Sequence, residues 1–118
     1  RAEAYLATNQ LAEAERDILA AKRLYPDLFY TQYFAGMLSF KQRRWSQSLA
    51  ELQAADKLLP GYPDTQFFMG RDNEELGDRR SAAQCFVTYL KQVNQGAQAQ
   101  YAYNRLVEWG YIQPARSR

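Results

Sequence analysis

Apolar residues recur along most of the chain three and four positions apart, which is the spacing of one face of an α-helix. Phe29, Tyr33, Met37 and Phe40 form one such stripe. Gly, Asn and Pro interrupt the pattern at regular intervals and indicate turns between helices. Together these signals predict helices over residues 2–8, 11–24, 28–41, 45–58, 64–76, 79–93 and 97–109, followed by an irregular tail from residue 110.

Proline and aspartate mark the ends of several predicted helices. Pro26 and Pro60 are expected to stop the helices before them, because proline cannot continue a helix. Asp27 and Asp64 are expected to cap the helices that follow, since a carboxylate accepts hydrogen bonds from free backbone N–H groups. Inside each helix pair we expect a turn with a left-handed backbone, which Asn and Gly tolerate best. The three turn positions are Asn9, Arg43 and Gly77, and Arg43 is the exception to this residue preference.

The whole pattern repeats with a fixed period, which is the offset from Pro26 to Pro60. The segment 11–26 (LAEAERDILAAKRLYP) aligns without a gap with the segment 45–60 (WSQSLAELQAADKLLP). Gly36 recurs as Gly70, and the missing Cβ atoms allow a neighbouring helix to approach closely. A third unit keeps the register and lacks the closing proline. Self-similarity at such a period is typical of a helical solenoid, in which each repeat packs on the next.

This period of 34 positions, with small residues at fixed places in the helices and a closing proline, resembles the tetratricopeptide repeat. The resemblance covers residues 1–96 closely and the last helix loosely. It implies an all-α fold, a right-handed α-α superhelix of about three helix-turn-helix repeats plus a C-terminal closing helix. The matching residues are Ala2, Tyr5, Ala14, Ile18, Ala21, Pro26, Gly36, Ser48, Leu52, Ala55, Pro60, Gly70, Ala82 and Phe86. The departures are Gln32, Ser39, Gln66, Asn73 and Tyr89.

The repeat register predicts one domain over residues 1–109 and a C-terminal tail over 110–118. Residues 1–28 form a partial first repeat, 29–62 the second, 63–96 the third and 97–109 the closing helix. Arg1 falls at the seventh position of the register, inside a helix-forming stretch. We therefore expect a helical repeat domain excised from a larger protein. The chain uses Arg much more often than Lys, which favours a bacterial source.

Composition favours helix and gives little sign of a charged partner. Ala and Leu are abundant, and together they far outnumber Val, Ile and Thr. The formal net charge is +2, so bulk charge gives no reason to expect a nucleic acid or an anionic membrane as partner. No apolar run approaches the roughly 18 residues of a membrane-spanning helix, and we expect no membrane insertion.

The residues that usually carry catalysis are scarce. The chain has no His and a single Cys, which excludes a Cys/His zinc site, an internal disulfide and a His-based triad within it. Cys85 lies in the middle of a predicted helix and is expected to be an inert, partly packed thiol. We interpret the acidic cluster of Asp72, Glu74, Glu75 and Asp78 as a solvated or ligand-facing surface and not as a metal site. We expect no enzyme activity of its own, no cofactor and no metal.

Two arginine doublets, Arg43–Arg44 and Arg79–Arg80, fall at equivalent turns between paired helices. Contact with nucleic acid phosphates is one interpretation of this pattern. Two solvated turns are the simpler interpretation, and we expect no nucleic acid partner.

In the tetratricopeptide family the first helix of each pair lines a concave groove. The resemblance therefore implies a peptide-binding groove with an aromatic middle, suited to an extended or helical peptide with bulky side chains. The Lys and Asn residues with which some family members grip a chaperone's C-terminal carboxylate are not matched. For each aromatic residue, a place in the core is the alternative. Carried over position by position, the groove residues are Tyr30, Tyr33, Met37, Phe40, Lys41, Phe67, Arg71, Glu74, Tyr101 and Arg105.

These features favour a protein–protein interaction module that holds a peptide or protein partner in the groove. Two alternatives stay open. One is a non-catalytic repeat domain of a larger bacterial envelope enzyme, such as a zinc metallopeptidase. The other is a self-assembly scaffold that forms a homo-oligomer. The lone Cys fits the bacterial cytoplasm and the periplasm equally.

Overall fold

A computed structural model describes residues 2–7 and 10–114. Over these ranges the protein is all-α and contains no strand. The described residues form seven helices: α1 (Ala2–Ala7), α2 (Leu11–Leu24), α3 (Phe29–Lys41), α4 (Trp45–Leu58), α5 (Pro63–Glu75), α6 (Arg79–Leu90) and α7 (Ala97–Glu108).

The helix boundaries agree closely with those predicted from the sequence. Every predicted helix is present, and most ends lie within one residue of the expected position. The exception is α6, which ends at Leu90 instead of residue 93. There the backbone N–H groups of Gln92 and Val93 both donate to the carbonyl oxygen of Tyr89 at 3.0 Å, so the chain leaves the helix in a tight turn.

The predicted N-caps at Asp27 and Asp64 are wrong. Helix α3 begins at Phe29, two residues after Asp27, and its N-cap residue is Leu28. Helix α5 begins at Pro63, so Asp64 already lies in its first turn. Proline is favoured at the first position of a helix because its missing N–H has no helical partner to lose there. The N-cap residue is therefore Tyr62, two residues before the predicted cap.

Helix α6 begins with a side-chain cap that was not predicted from the sequence. Asp78 precedes the helix, and its Oδ1 accepts a hydrogen bond from the backbone N–H of Ser81 at 3.1 Å. The Ser81 hydroxyl donates to Oδ2 of the same carboxylate at 2.7 Å. Asp78 is thus committed to the helix start.

The turn inside each helix pair recurs with one geometry. Arg43 has a φ of 61° and Gly77 a φ of 84°, which confirms the predicted left-handed backbone; Asn9 lies outside the described residues. In each turn a backbone N–H donates to the carbonyl oxygen five residues earlier. These bonds are Gln10 to Tyr5 at 2.7 Å, Arg44 to Ser39 at 2.9 Å and Asp78 to Asn73 at 2.9 Å. The same bond, from Tyr111 to Leu106 at 2.8 Å, forms where the chain leaves α7.

The two helical glycines permit close packing between paired helices. A Cβ on Gly36 would lie 2.6 Å from Cδ2 of Leu52, and a Cβ on Gly70 would lie 2.5 Å from Cε1 of Phe86. Both distances are far below van der Waals contact, which confirms the close approach expected from the repeat. The helices opposite the glycines supply small, fully buried residues. These are Ser48 and Ala82, with Ala14 in the first pair.

The core is distributed along an elongated molecule of 55 × 27 × 24 Å. One apolar cluster joins α1, α2 and α3, a second joins α3, α4 and α5, and a third joins α5, α6 and α7. Ile112 packs against the third cluster from beyond α7, whereas Tyr111 stays 53% exposed. None of the described helices is long and apolar enough to span a membrane.

Candidate binding face

The ten predicted groove residues come from the first helices of two successive pairs and from the closing helix. Helix α3 carries the first five, α5 the next three and α7 the last two. Several of these residues are separated by one repeat of 34 positions, as Met37, Arg71 and Arg105 are. The repeat therefore brings chemically different side chains to equivalent places on neighbouring helices.

Five of these residues form a continuous line of contacts across the three helices. The Arg71 guanidinium lies 5.5 Å from the ring centroid of Phe40 and 4.7 Å from that of Tyr101. The Arg105 guanidinium lies 5.1 Å from the Tyr101 ring on α7. Such cation–π contacts favour stacked, ordered side chains. We call Phe40, Arg71, Glu74, Tyr101 and Arg105 the cross-helix ladder.

Glu74 is the central carboxylate of the ladder. It accepts a hydrogen bond from the Tyr101 hydroxyl at 2.7 Å and lies 3.0 Å from Nε of Arg105. Nε of Arg71 is 3.6 Å away on the same helix. Arg105 also donates to both oxygens of Glu108 at 2.6 and 2.7 Å. The two arginines are thus largely neutralised, and the ladder presents a fixed pattern of charge and not a strong positive field.

Burial raises the pKa of the Tyr101 hydroxyl above its usual value, and the bond to Glu74 acts in the same direction. The pKa of Arg105 is also raised, first by its interaction with the Tyr101 hydroxyl. Both groups therefore keep their neutral-pH protonation states throughout the physiological range.

The exposed part of this face lies at both ends of α3. Tyr30 is 58% exposed and stacks on Phe34 with ring centroids 5.8 Å apart. Lys41 is exposed at the other end of the helix, and Met37 is half-buried between them. Phe40 is also half-buried, and its ring contacts Phe68 at 5.0 Å. These side chains are accessible to a partner.

Tyr33 and Phe67 occupy the interior beneath this face. Tyr33 is 8% exposed and stacks on Phe29 at 5.4 Å, and burial raises its pKa above the usual range. Phe67 is 4% exposed and contacts Phe86 and Tyr89 at 5.8 and 5.4 Å. Both rings offer a partner little surface and act mainly as support for their neighbours.

Asp72 is buried, which corrects the interpretation of the acidic cluster as a solvated surface at this residue. Its side chain is fully buried, and neither carboxylate oxygen has a hydrogen-bond partner among the described residues. Leu38 and Leu106 occupy the equivalent repeat positions and are buried. The sequence signal was available in the repeat alignment, since a carboxyl stands where its neighbours have leucine.

Burial raises the pKa of Asp72 to about 7, although the nearby Ser48 hydroxyl and the Arg71 guanidinium favour the ionised form. Glu51 acts in the opposite direction, raising the pKa further. Glu51 itself is buried but paired, because it accepts a hydrogen bond from Ser39 and forms an ion pair with Lys22. Asp72, unlike Glu51, is therefore a buried acid whose carboxylate oxygens have no hydrogen-bond partner among the described residues.

The other features considered for chemistry are the single cysteine, possible metal ligands and the two arginine doublets. Cys85 is half-buried, and burial raises the pKa of its thiol to about 11. Within residues 2–7 and 10–114, no group of three or more acidic, Cys or His side chains is placed to hold a metal ion. Both arginine doublets are exposed, and Arg79 lies 5.6 Å from the ring centroid of Trp109.

No protein-family model matches the chain. A comparison with curated proteins gives no significant match.

Proposed function

We propose that the chain is a tetratricopeptide-like, right-handed solenoid that binds a protein or peptide partner on a concave face lined by α3, α5 and α7. The period of 34 positions, the close approaches at Gly36 and Gly70, and the recurrent turn support this assignment. In a solenoid built from such a repeat, the first helices of successive pairs lie on the same side.

The observation that carries the proposal is the cross-helix ladder. Phe40, Arg71 and Tyr101 come from three different helices. The Arg71 guanidinium contacts the rings of both Phe40 and Tyr101. Contacts of this kind require the three helices to share a face. Rigid aromatic rings and paired arginines provide contact area at a low cost in side-chain entropy, and Tyr and Arg are frequent hot spots of interfaces.

The accessible residues, and not the buried ones, are the anchors. Tyr30, Met37 and Phe40 supply apolar area, and Lys41 supplies a positive charge beside it. This chemistry suits a peptide with bulky apolar side chains. Tyr33 and Phe67 hold these residues in place from below.

Selection from a random-peptide display library on the purified chain tests the proposal. The enriched peptides should lose binding to Tyr30→Ala and to Phe40→Ala, since each substitution removes accessible ring area. Tyr25→Ala is the matched control, because Tyr25 is 59% exposed, close to the 58% of Tyr30, but lies at the C-cap of α2 and outside the three lining helices. Helicity by circular dichroism should stay unchanged in all three variants.

Peptides that bind the Tyr30 and Phe40 variants as well as the unaltered chain would contradict the proposal. Loss of binding in Tyr25→Ala alone would place the binding surface elsewhere. Failure to enrich any sequence would also count against a peptide-binding face in this chain.

A further inference from the structure

The second helices of successive pairs, α2, α4 and α6, each border a cleft. The first cleft lies between α2 and α4 and has a volume of about 40 Å³. The second lies between α4 and α6 and has a volume of about 460 Å³. The third borders α6 and has a volume of about 720 Å³. The cleft volume therefore increases from one repeat to the next, from α2 to α6.

Equivalent residues of the repeat line the three clefts. Two positions on the second helix, four residues apart, border each cleft and recur once in every repeat. The two equivalent sets are Glu15, Leu49 and Ala83, and Leu19, Gln53 and Val87. The third cleft is therefore the same structural place as the first two, one repeat further along.

In each of the first two clefts, the second helix of the following pair forms the opposite wall. In the first cleft, α4 contributes Gln47 and Glu51. In the second, α6 contributes Ser81 and Cys85, which occupy the same repeat positions. Among the described residues no helix supplies this wall in the third cleft. Residues 111–114 are not helical, and Tyr111 alone borders the cleft from beyond α7.

The third cleft has an apolar strip formed by Ala83 and Val87, the polar side chains of Gln84 and Thr88 beside it, and a basic residue at each end. Ala83 is buried and forms the floor, with Val87 beside it, 40% exposed. Arg80 lies in the first turn of α6 and Lys91 is its C-cap residue, eleven positions later, which corresponds to about 16 Å along the helix axis. None of the described residues that line the cleft is acidic.

Arg80 has one acidic neighbour outside the cleft lining. The pKa of Asp78 is lowered first by its hydrogen bonds to Ser81 and then by Arg80. Because that carboxylate caps α6, it stays at the helix start. The charge at Lys91, three turns along the helix, is unaffected by this cap. The cleft thus keeps a positive character at both ends of an apolar floor.

We propose that the cleft on α6 binds an amphipathic helix of a partner protein that carries acidic side chains. The partner helix lies along α6 as α6 lies along α4, with apolar residues on Ala83 and Val87 and carboxylates reaching Arg80 and Lys91. The four residues after Pro114 contain two arginines and no acid, so their charge does not complement the cleft. This surface is separate from the face lined by α3, α5 and α7.

A synthetic helical peptide tests the proposal. The probe is an alanine- and glutamine-based peptide, labelled with a fluorophore, with glutamates at the spacing of Arg80 and Lys91 and leucines at the spacing of Ala83 and Val87. Its matched control has lysines in place of the two glutamates. Binding of each peptide to the purified chain is measured by fluorescence anisotropy at low ionic strength, where exposed charge pairs are least screened.

The glutamate peptide should bind the unaltered chain more tightly than the lysine peptide. Reversing both charges in Arg80→Glu/Lys91→Glu should lower the affinity for the glutamate peptide roughly tenfold. This is the effect expected from the loss of two exposed ion pairs. Arg43→Glu/Arg44→Glu is the control, since it reverses two exposed arginines at a different turn. That control and Tyr30→Ala should leave the affinity unchanged, which separates this site from the proposed concave face.

Equal affinity for the two peptides, or equal losses in the two charge-reversed variants, would overturn the proposal. A tenfold gain in affinity on deleting residues 115–118 would identify the chain's own terminus as the occupant and overturn it too. So would sedimentation as a dimer that Arg80→Glu/Lys91→Glu dissociates, because a second copy would then fill the cleft.

Discussion

Asp72 makes the stability of this protein depend on pH in an unusual direction. Its carboxyl is fully buried without a hydrogen-bond partner among the described residues, and burial raises its pKa to about 7. In the unfolded chain the pKa is close to the model-peptide value of about 3.9. Between these two values the folded state holds a proton that the unfolded state has released. The free energy of unfolding therefore falls as the pH rises through this window.

The size of the effect follows from the shift. A difference of about three pKa units corresponds to roughly 4 kcal/mol between the fully protonated and fully ionised limits. Most domains of this size have a total stability of about 5–15 kcal/mol. The contribution is complete below about pH 4 and is lost above about pH 7. Ionisation of Asp72 alone is thus expected to remove a large fraction of the stability.

Asp72→Asn is the informative substitution, because it keeps the shape of the side chain and removes its titration. The buried amide adds a penalty that does not change with pH. Urea unfolding followed by circular dichroism, repeated between pH 4 and pH 8, measures the free energy of unfolding of both proteins. The difference between them should shift in favour of the variant by roughly 4 kcal/mol as the pH rises over this range.

Asp78→Asn is the control for this experiment. The bonds from Ser81 lower the pKa of Asp78, so its contribution to stability is present at neutral pH and disappears on acidification. Because this loss lies below the usual pKa of an aspartate, the difference between Asp78→Asn and the unaltered protein should stay almost constant between pH 4 and pH 8, whereas the difference for Asp72→Asn should change. Parallel profiles for Asp72→Asn and the unaltered protein would refute the account of Asp72 as a buried, uncompensated acid.

Three further predictions concern packing, backbone and thiol reactivity. Gly70→Ala should lower the free energy of unfolding by about 1–3 kcal/mol, because the new Cβ would meet the Phe86 ring 2.5 Å away; an unchanged urea midpoint would contradict the close approach. Arg43→Gly should stabilise the protein by about 1 kcal/mol, because Arg43 has a φ of 61°, and a lower melting temperature would argue against a strained turn. The Cys85 thiol should react with a small disulfide reagent at least tenfold faster in denaturant than in the folded protein at pH 8, since burial raises its pKa to about 11; equal rates would mean an accessible thiol.

The local and periodic features of this protein could be predicted from its sequence. The bounds of α2 and α4 coincide with the predicted ones, and the left-handed turn at Arg43 was expected from its place in the repeat. Helix spacing, proline stops and small residues act over a few neighbouring positions. Repetition of the same signals at a fixed period then reinforces each one.

Tertiary structure decided which side of each helix is covered. Tyr30 and Tyr33 lie on the same helix three positions apart, yet Tyr30 is exposed and Tyr33 is buried. Helix α3 packs against α1, α2, α4 and α5, so apolar residues around most of its circumference are covered and its stripes do not distinguish core from surface. The burial of Asp72 has the same origin, because Ser48 and Glu51 of α4 lie close to its position on α5. Burial depends on what a neighbouring helix brings, and that is a property of packing between segments distant in sequence.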